Sequence, residues 1–558
     1  MHYPDGVSDV TDPRGDLVWA TLPGLVQDAA ARFGGAEAVV DRNGPGGTTT
    51  RWSFDQLAEE VATATRAVVA NGIERGDRVA VWAPNCAEWI VAALGAVGAG
   101  AVLVPLNTRY KGVEAAYILR TSGARILFTV QGFLGTDYPG LLDEAVTAGE
   151  SLPDLERVVV LRSDGADHAV VTAGATRTVS WADFLSEAGR CEAEVAAGRT
   201  ASLSAADVSD LVFTSGTTGH PKGAVTTHGQ TLRTFATWAE VVGLRAGDRY
   251  LIVNPFFHTF GYKAGILACL MAGATMVPEP VFDVDLVLQQ IADARISVLP
   301  GPPTIFQSIL DHPKRDAYDL STLRLVVTGA AVVPVELVES LWSDLNVETV
   351  LTAYGLTEAT GTVTMCRRGD SAEVISATSG RVIPDVEMRI VDALGQELAT
   401  GEAGEIIVRG YNVMSGYFND SEATAAAIDD DGWLHTGDVG FVDSAGNLAI
   451  TDRLKDMYVS GGFNVYPAEV EAVLRRHPGV EQVAVVGIPD RRMGEIGLAV
   501  VVARPGADTR ALAEELPAFG KEQLANFKVP RRVEVVDLLP TNASGKVLKR
   551  ELRARFGT

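Results

Sequence analysis

Short runs of β-branched residues recur along the chain, separated by longer stretches whose apolar positions carry helical spacing. Residues 79–82, 101–104, 126–129 and 158–161 read as buried strands, with helices over 57–70 and 87–97 among them. A strand apolar on both faces needs a helix to cross back, so this alternation predicts parallel sheets covered by helices. The pattern resumes after residue 211, with strand-like runs at 250–253, 274–277, 298–299 and 325–328. From about residue 386 the texture changes: short strands at 386–391, 404–408 and 447–451 are divided by Gly- and Asp-rich turns. From about residue 468 a helix over 468–476, strands at 480–487 and 498–502, a helix over 509–520 and a strand at 532–536 outline a further small unit. The expected class is α/β: a large N-terminal body of two helix-covered parallel-type sheets plus a small β-barrel-like unit, then a small α+β C-terminal domain. The expected boundaries are a leader over 1–16, a body over 17–453 and a C-terminal domain over 454–558.

The leader is polar, acidic and rich in Pro and Gly, without the charged-then-apolar order of a signal peptide. The longest apolar stretch, 87–105, contains Glu88, the spaced glycines Gly95, Gly98 and Gly100, and a closing Pro105. It predicts a helix, a glycine turn and a buried strand rather than a membrane span of about 20 residues. A net charge of -24 makes the chain a poor general binder of nucleic acid, which needs clustered Lys and Arg. The four cysteines, Cys86, Cys191, Cys269 and Cys366, are far apart and form no CxxC pair, so reduced thiols of a cytoplasmic protein are expected. Basic residues outnumber acidic ones nine to four over 521–558, against the trend of the whole chain. That excess suits a segment that approaches phosphates.

The densest chemical signal is TSGTTGHPKG over 214–223, directly after a strand-like run. Thr214, Ser215, Gly216, Thr217, Thr218 and Gly219 let the backbone curl round an anion and offer N–H and hydroxyl donors, and Lys222 adds a charge. The loop is not a Walker A motif, because neither Gly-Lys pair is followed by Ser or Thr, and no G-x-G-x-x-G follows an early strand. A nucleotide phosphate grip of another design is required.

This loop resembles the phosphate loop of the adenylate-forming superfamily, which includes acyl-CoA synthetases, peptide-synthetase adenylation domains and firefly luciferase. The likeness spans nearly the whole chain, because YGLTEAT (354–360), VMSGYFN (413–419), GWLHTGD (432–438), DRLKDMYVSGGFNVYPAEVE (452–471) and TNASGKVLKREL (541–552) follow in the family's order. The resemblance implies ATP, Mg²⁺ and coenzyme A as cofactors and cosubstrates, a carboxylic acid as substrate, and no membrane span. The superfamily includes monomers and homodimers. By the same likeness Glu358 is the Mg²⁺ ligand and Thr357 touches the α-phosphate. Tyr354 stacks on adenine, and Gly329, Ala330 and Ala331 form the opposite wall. Asp438 accepts the ribose hydroxyls, and Arg453 contacts the ribose and phosphate region. Lys546 is the adenylation lysine, Lys455 is the hinge about which the mobile C-terminal domain turns, and Gly461 and Gly462 line the coenzyme A tunnel.

Residues 255–265, PFFHTFGYKAG, resemble the family's acyl-pocket segment. His258 matches the aromatic gate, and Phe257, Phe260, Gly261, Tyr262 and Lys263 line the pocket. Amino-acid-activating relatives carry an Asp where His258 stands, which argues against a peptide-synthetase module. Lys263 is costly in an apolar pocket unless paired, so it either points to solvent or donates to a substrate carbonyl. The run over 248–285 is similar to that of actinobacterial acyl-CoA synthetases of steroid-ring degradation, which activate a bicyclic propanoate bearing ring ketones. The expected function is an AMP-forming acid:CoA ligase acting on such an acid. A medium-chain fatty or aryl acid, or adenylation without CoA, is the alternative.

Overall fold

A computed structural model of the chain describes residues 17–163, 176–215, 221–329, 333–392, 394–453, 458–465, 467–540, 547 and 549–557. The leader expected over 1–16 lies outside them.

Two nine-stranded sheets form the body. In one, Val102–Pro105, Arg78–Trp82, Ala124–Phe133, Arg157–Arg162 and Arg177–Ser180 run parallel, and Val102–Pro105 also pairs in parallel with Val208–Ser215. In the other, Thr275–Pro278, Arg249–Ile252, Val298–Gly301, Leu325–Gly329 and Thr349–Tyr354 are parallel neighbours. Both sheets are mixed, because their edges are antiparallel: Thr50–Ser53 on Glu37–Asp41, Thr364–Met365 on Thr349–Tyr354, and Pro221–Thr227 on Val208–Ser215. An antiparallel edge needs only a short connection, which is why these strands lack the helical spacer seen elsewhere.

The helix Ala87–Gly98 is buried at every position but Glu88, as its otherwise apolar sequence requires. It packs closely on the helix Phe54–Ala70. A Cβ on Gly95 would lie 2.6 Å from the Ala64 Cβ, so only glycine permits this approach. Polar side chains then tie the two sheets together. The Asn85 amide donates to the carbonyls of Ile252 and Asn254 and accepts from the Phe256 N–H at 2.7 Å. Arg162 pairs at 2.5 Å with both Asp41 and Glu88.

A four-stranded antiparallel sheet follows, made of Val386–Val391, Gly404–Gly410, Leu434–Val442 and Leu448–Arg453. Among the described residues a large apolar core runs from Leu22 to Leu448, with a small satellite of Val391, Ile407 and Trp433. Separate cores, involving residues from Tyr458 to Leu552, belong to a five-stranded sheet with the helices Pro467–Leu474, Thr509–Gln523 and Lys549–Phe556. All four cysteines are buried and unpaired. Among the described residues, no helix is long and apolar enough to cross a membrane.

His228 opens the helix His228–Val242, where its Nδ1 accepts the Leu22 N–H at 3.2 Å. Burial pushes its pKa down from 6.5 to about 4. The unfolded chain therefore takes up a proton between these values that the folded chain refuses. Stability is complete above the unfolded value and declines as pH falls toward the folded one. Urea unfolding should show that His228 removes about 2.5 kcal/mol between pH 7 and about pH 4.5, and that His228→Gln lacks this acid loss.

Candidate active site

The strand Val208–Ser215 and the strand Pro221–Thr227 place Thr214 directly opposite Lys222. The turn between them carries Gly216, Thr217, Thr218 and Gly219, which lie outside the described residues, as does the Ser215 side chain. The Lys222 ammonium stands 3.8 Å from an Asp420 carboxylate oxygen and 5.3 Å from the Tyr417 ring centre. The Thr214 hydroxyl donates to Glu358 Oε1 at 3.2 Å.

Glu358 sits on a single 3-10 turn, Thr357–Ala359, reached through a tight bend after the strand Thr349–Tyr354. A Cβ on Gly355 would stand 2.2 Å from the Gly361 carbonyl oxygen, so the bend needs glycine. Thr360 ends the turn at φ 55 and is buried, with its hydroxyl donating to the Asn412 carbonyl at 2.6 Å. A left-handed β-branched residue costs on the order of 1–3 kcal/mol and persists where the surroundings enforce it.

The Asn412 carbonyl and the VMSGYFN segment that follows it brace this turn. Gly416–Tyr417 pairs with Ala224 and Val225 on the phosphate hairpin, and Phe418 N donates to the Gly223 carbonyl at 2.8 Å. Met414 N donates to the Glu358 carbonyl at 2.8 Å, and the Tyr417 hydroxyl donates to Glu358 Oε1 at 2.8 Å. Tyr417 is a site residue that sequence reasoning missed, although the motif containing it was visible.

Beside this cluster the Tyr354 hydroxyl donates to Asp438 Oδ2 at 2.6 Å. Asp438 faces Arg453 across the antiparallel strands Leu434–Val442 and Leu448–Arg453. Gly329 is level with Ala353 in the neighbouring strand. Gly329 and Tyr354 thus end adjacent parallel strands, the place where α/β sheets bind ligands, with Asp438 bonded to Tyr354 and Glu358 on the turn that follows. Ala330, Ala331, the Arg453 side chain, Lys455 and Lys546 lie outside the described residues.

Residues 255–265 fold tightly. A Cβ on Gly261 would meet the Pro255 carbonyl oxygen at 2.1 Å. His258 caps the short helix Thr259–Gly261, accepting the Phe260 N–H at 3.2 Å through Nδ1. Its ring touches solvent yet is hemmed in by protein, and this crowding lowers its pKa below the ordinary histidine value. Tyr262 begins a π-helical turn, Tyr262–Leu267, a form common at functional sites. Its hydroxyl is buried without a partner among the described residues.

Lys263 takes neither of the surroundings its sequence suggests. It is 0% exposed, so it does not reach solvent. Its ammonium donates to Asp210 Oδ1 at 2.9 Å, Thr226 Oγ1 at 3.0 Å and Thr231 Oγ1 at 3.1 Å. An ammonium has three protons, so none remains for a substrate carbonyl. Burial lowers its pKa and the Asp210 carboxylate opposes that fall. Asp210 also accepts from Ser209 and Thr226 at 2.6 Å each, which closes a buried polar network under the phosphate hairpin.

The small domain reaches this region through its hairpin Tyr458–Ser460 and Phe463–Val465. The Gly462 Cβ position is 3.9 Å from Pro302 Cγ, and Phe463 stacks on Phe257 at 6.5 Å. Gly461 has φ 59, and a Cβ there would meet Met493 Cε at 2.6 Å. The predicted tunnel glycines and the predicted acyl segment are therefore neighbours. Among the described residues, no group of three or more His, Cys, Asp or Glu side chains could hold a metal ion.

A family model described as AMP-binding enzyme matches residues 26–418, and one described as AMP-binding enzyme C-terminal domain matches 469–546. A 3-[(3aS,4S,7aS)-7a-methyl-1,5-dioxo-octahydro-1H-inden-4-yl]propanoyl:CoA ligase of Rhodococcus jostii (strain RHA1) is 52% identical over 535 residues, 96% of this chain and 98% of that protein. A ligase of the same name from Mycobacterium tuberculosis (strain ATCC 25618 / H37Rv) is 52% identical over 503 residues, covering 90% and 94%. Among solved structures, an o-succinylbenzoate CoA synthetase of Bacillus subtilis bound with its product analogue is similar, with TM-score 0.76 and 27% identity over 95% of this chain and 98% of that one.

The buried network makes a quantitative prediction. Lys263→Met strips the cation from a buried carboxylate and should cost about 3–5 kcal/mol in urea unfolding. Adding Asp210→Asn removes the orphaned charge and should recover more than half of that loss.

Proposed function

Because the chain belongs to the AMP-binding enzyme family and is an AMP-forming acid:CoA ligase, we propose that its acid is a bicyclic propanoate bearing ring ketones. The reading has two steps. A substrate carboxylate, ionised at neutral pH because such groups titrate near ~4, attacks the α-phosphorus of ATP. The new carboxyl–phosphorus bond forms as the bond to pyrophosphate breaks. The sulfur of coenzyme A then attacks the acyl carbonyl and loses its proton, and the carbon–oxygen bond to AMP breaks.

No general base is needed for the first step, so positioning and positive charge carry it. The 214–219 loop and Lys222 grip the phosphates. Tyr354 with Gly329, Ala330 and Ala331 encloses adenine, and Asp438 with Arg453 holds the ribose. Thr357 lies at the α-phosphate. Glu358 would hold Mg²⁺, as a single hard carboxylate beside a phosphate loop fits that ion. When bound, the ion supplies charge neutralisation at the phosphates. The observation that carries the reading is the convergence of Thr214 and Tyr417 on Glu358 Oε1, which joins phosphate hairpin, carboxylate turn and VMSGYFN segment in one crevice.

Division into a body over 17–453 and a mobile domain over 454–558, hinged at Lys455, lets one crevice serve both steps. Lys546 enters for adenylation. The described arrangement, with Gly462 beside Pro302 and Phe463 on Phe257, suits the thioester step. His258 gates the acyl pocket beside Phe257, Phe260 and Gly261. With Lys263 committed elsewhere, the Tyr262 hydroxyl, which has no partner among the described residues, is a donor for a ring ketone. Buried unpaired thiols suit a reducing compartment, so we place the enzyme in the cytoplasm.

The test is CoA-thioester formation with a panel of acids. The diketo bicyclic propanoate should exceed octanoate and simple aryl acids at least about 100-fold in kcat/KM, and Tyr262→Phe should narrow that margin about tenfold. Equal turnover of octanoate or an aryl acid would overturn the substrate assignment.

A further inference from the structure

Lys528, in the small domain, ends in a buried pocket that neither domain completes alone. Its side chain is 3% exposed. The ammonium donates at 2.7 Å to Glu469 Oε1, in the small-domain helix Pro467–Leu474. It also donates at 2.8 Å to Glu114 Oε1, in the body helix Gly112–Ser122. It lies 4.6 Å from the ring centre of Tyr110, again in the body. Glu114 is held in place by the Lys111 N–H, which donates to its second oxygen at 2.9 Å.

An aromatic ladder runs beside the triad. Phe257 of the body stacks on Phe463 of the small domain, and Phe463 stacks on Phe527 at 4.6 Å, the residue before Lys528. The same seam therefore locks the triad on one side and seats the Gly461-Gly462 turn on the other.

Charge arithmetic makes this a state-specific contact. One ammonium faces two buried carboxylates, so separating the domains would return Glu114 to water but leave the Lys528–Glu469 pair intact. The free energy of the Glu114 bond then belongs only to the docked arrangement. Breaking one partner of a buried charge pair at an interface is costly, whereas a rim pair contributes little.

We propose that Glu114 and Lys528 are positioning residues that latch the small domain in the arrangement used for thioester formation. This rests on the two-step reading above. The side chain of Glu114 bonds to Lys528 and the Lys111 N–H, and Gln at that position preserves the helix-capping hydrogen bond to Lys111.

The test separates the half-reactions in single-turnover experiments on the full chain. Acid-dependent pyrophosphate release reads adenylation, and thioester formation from supplied acyl-adenylate reads the second step. Glu114→Gln and Lys528→Met should each slow thioester formation at least about tenfold and raise the KM for coenzyme A, while pyrophosphate release stays within about twofold. The double variant should be little worse than either single one, because both changes break the same contact. Parallel loss of both half-reactions, or no loss in either, overturns the latch. Lys546→Ala is the control and should lose adenylation while keeping thioester formation. If that control shows no such split, the two-step reading fails and the latch falls with it. If the control splits and Glu114→Gln does not, the latch alone fails.

Discussion

The antiparallel pairing of Val208–Ser215 with Pro221–Thr227 is the contact on which the proposed site is built. It fixes Thr214 against Lys222 and ties both to Glu358 and to Gly416–Tyr417. From one side Gly416–Tyr417 adds itself as a further strand and brings the Tyr417 hydroxyl to Glu358. From beneath, Asp210 in the first strand and Thr226 in the second share the Lys263 ammonium with Thr231. Residues 255–265 and the hairpin are thereby bonded through a buried polar core.

Such a core is poor at stabilising a fold, because desolvating a lysine and an aspartate offsets most of their attraction. It is good at fixing geometry, because each donor has one acceptor and alternatives leave a charge unpaired. The same balance holds at the seam between body and small domain, where Lys528 sits between carboxylates drawn from both. On the proposed two-step reading, a fixed network beneath the hairpin and a separable seam against the small domain are what the site would require.

Much of this was legible in sequence, for identifiable reasons. The strands Val386–Val391 and Arg532–Val536 match their expected bounds, since alternating apolar runs bracketed by turn residues leave little freedom. The helix expected from residue 57 begins at Phe54, because Ser53 and Gln56 form a capping box that apolar spacing alone does not reveal. Glu358, Tyr354 and Asp438 stand out through their motifs, and the fold bonds Tyr354 to Asp438 and sets Glu358 on the turn after Tyr354. Lys263 was misplaced because its partner, Asp210, lies in a distant strand and a lone lysine carries no sign of its counter-ion. Glu114 and Lys528 are 414 residues apart, and nothing local to either marks the other. Pairings that only the tertiary fold creates are the ones a linear reading misses.

The central claim is that one rigid crevice holds ATP and the acid together before coenzyme A takes part. Acid-dependent exchange of labelled pyrophosphate into ATP, measured without coenzyme A, tests it most directly. Rapid exchange that requires the diketo bicyclic propanoate, and that collapses in Tyr417→Phe, is the predicted result. Exchange that needs no acid, or that begins only when coenzyme A is added, would contradict it.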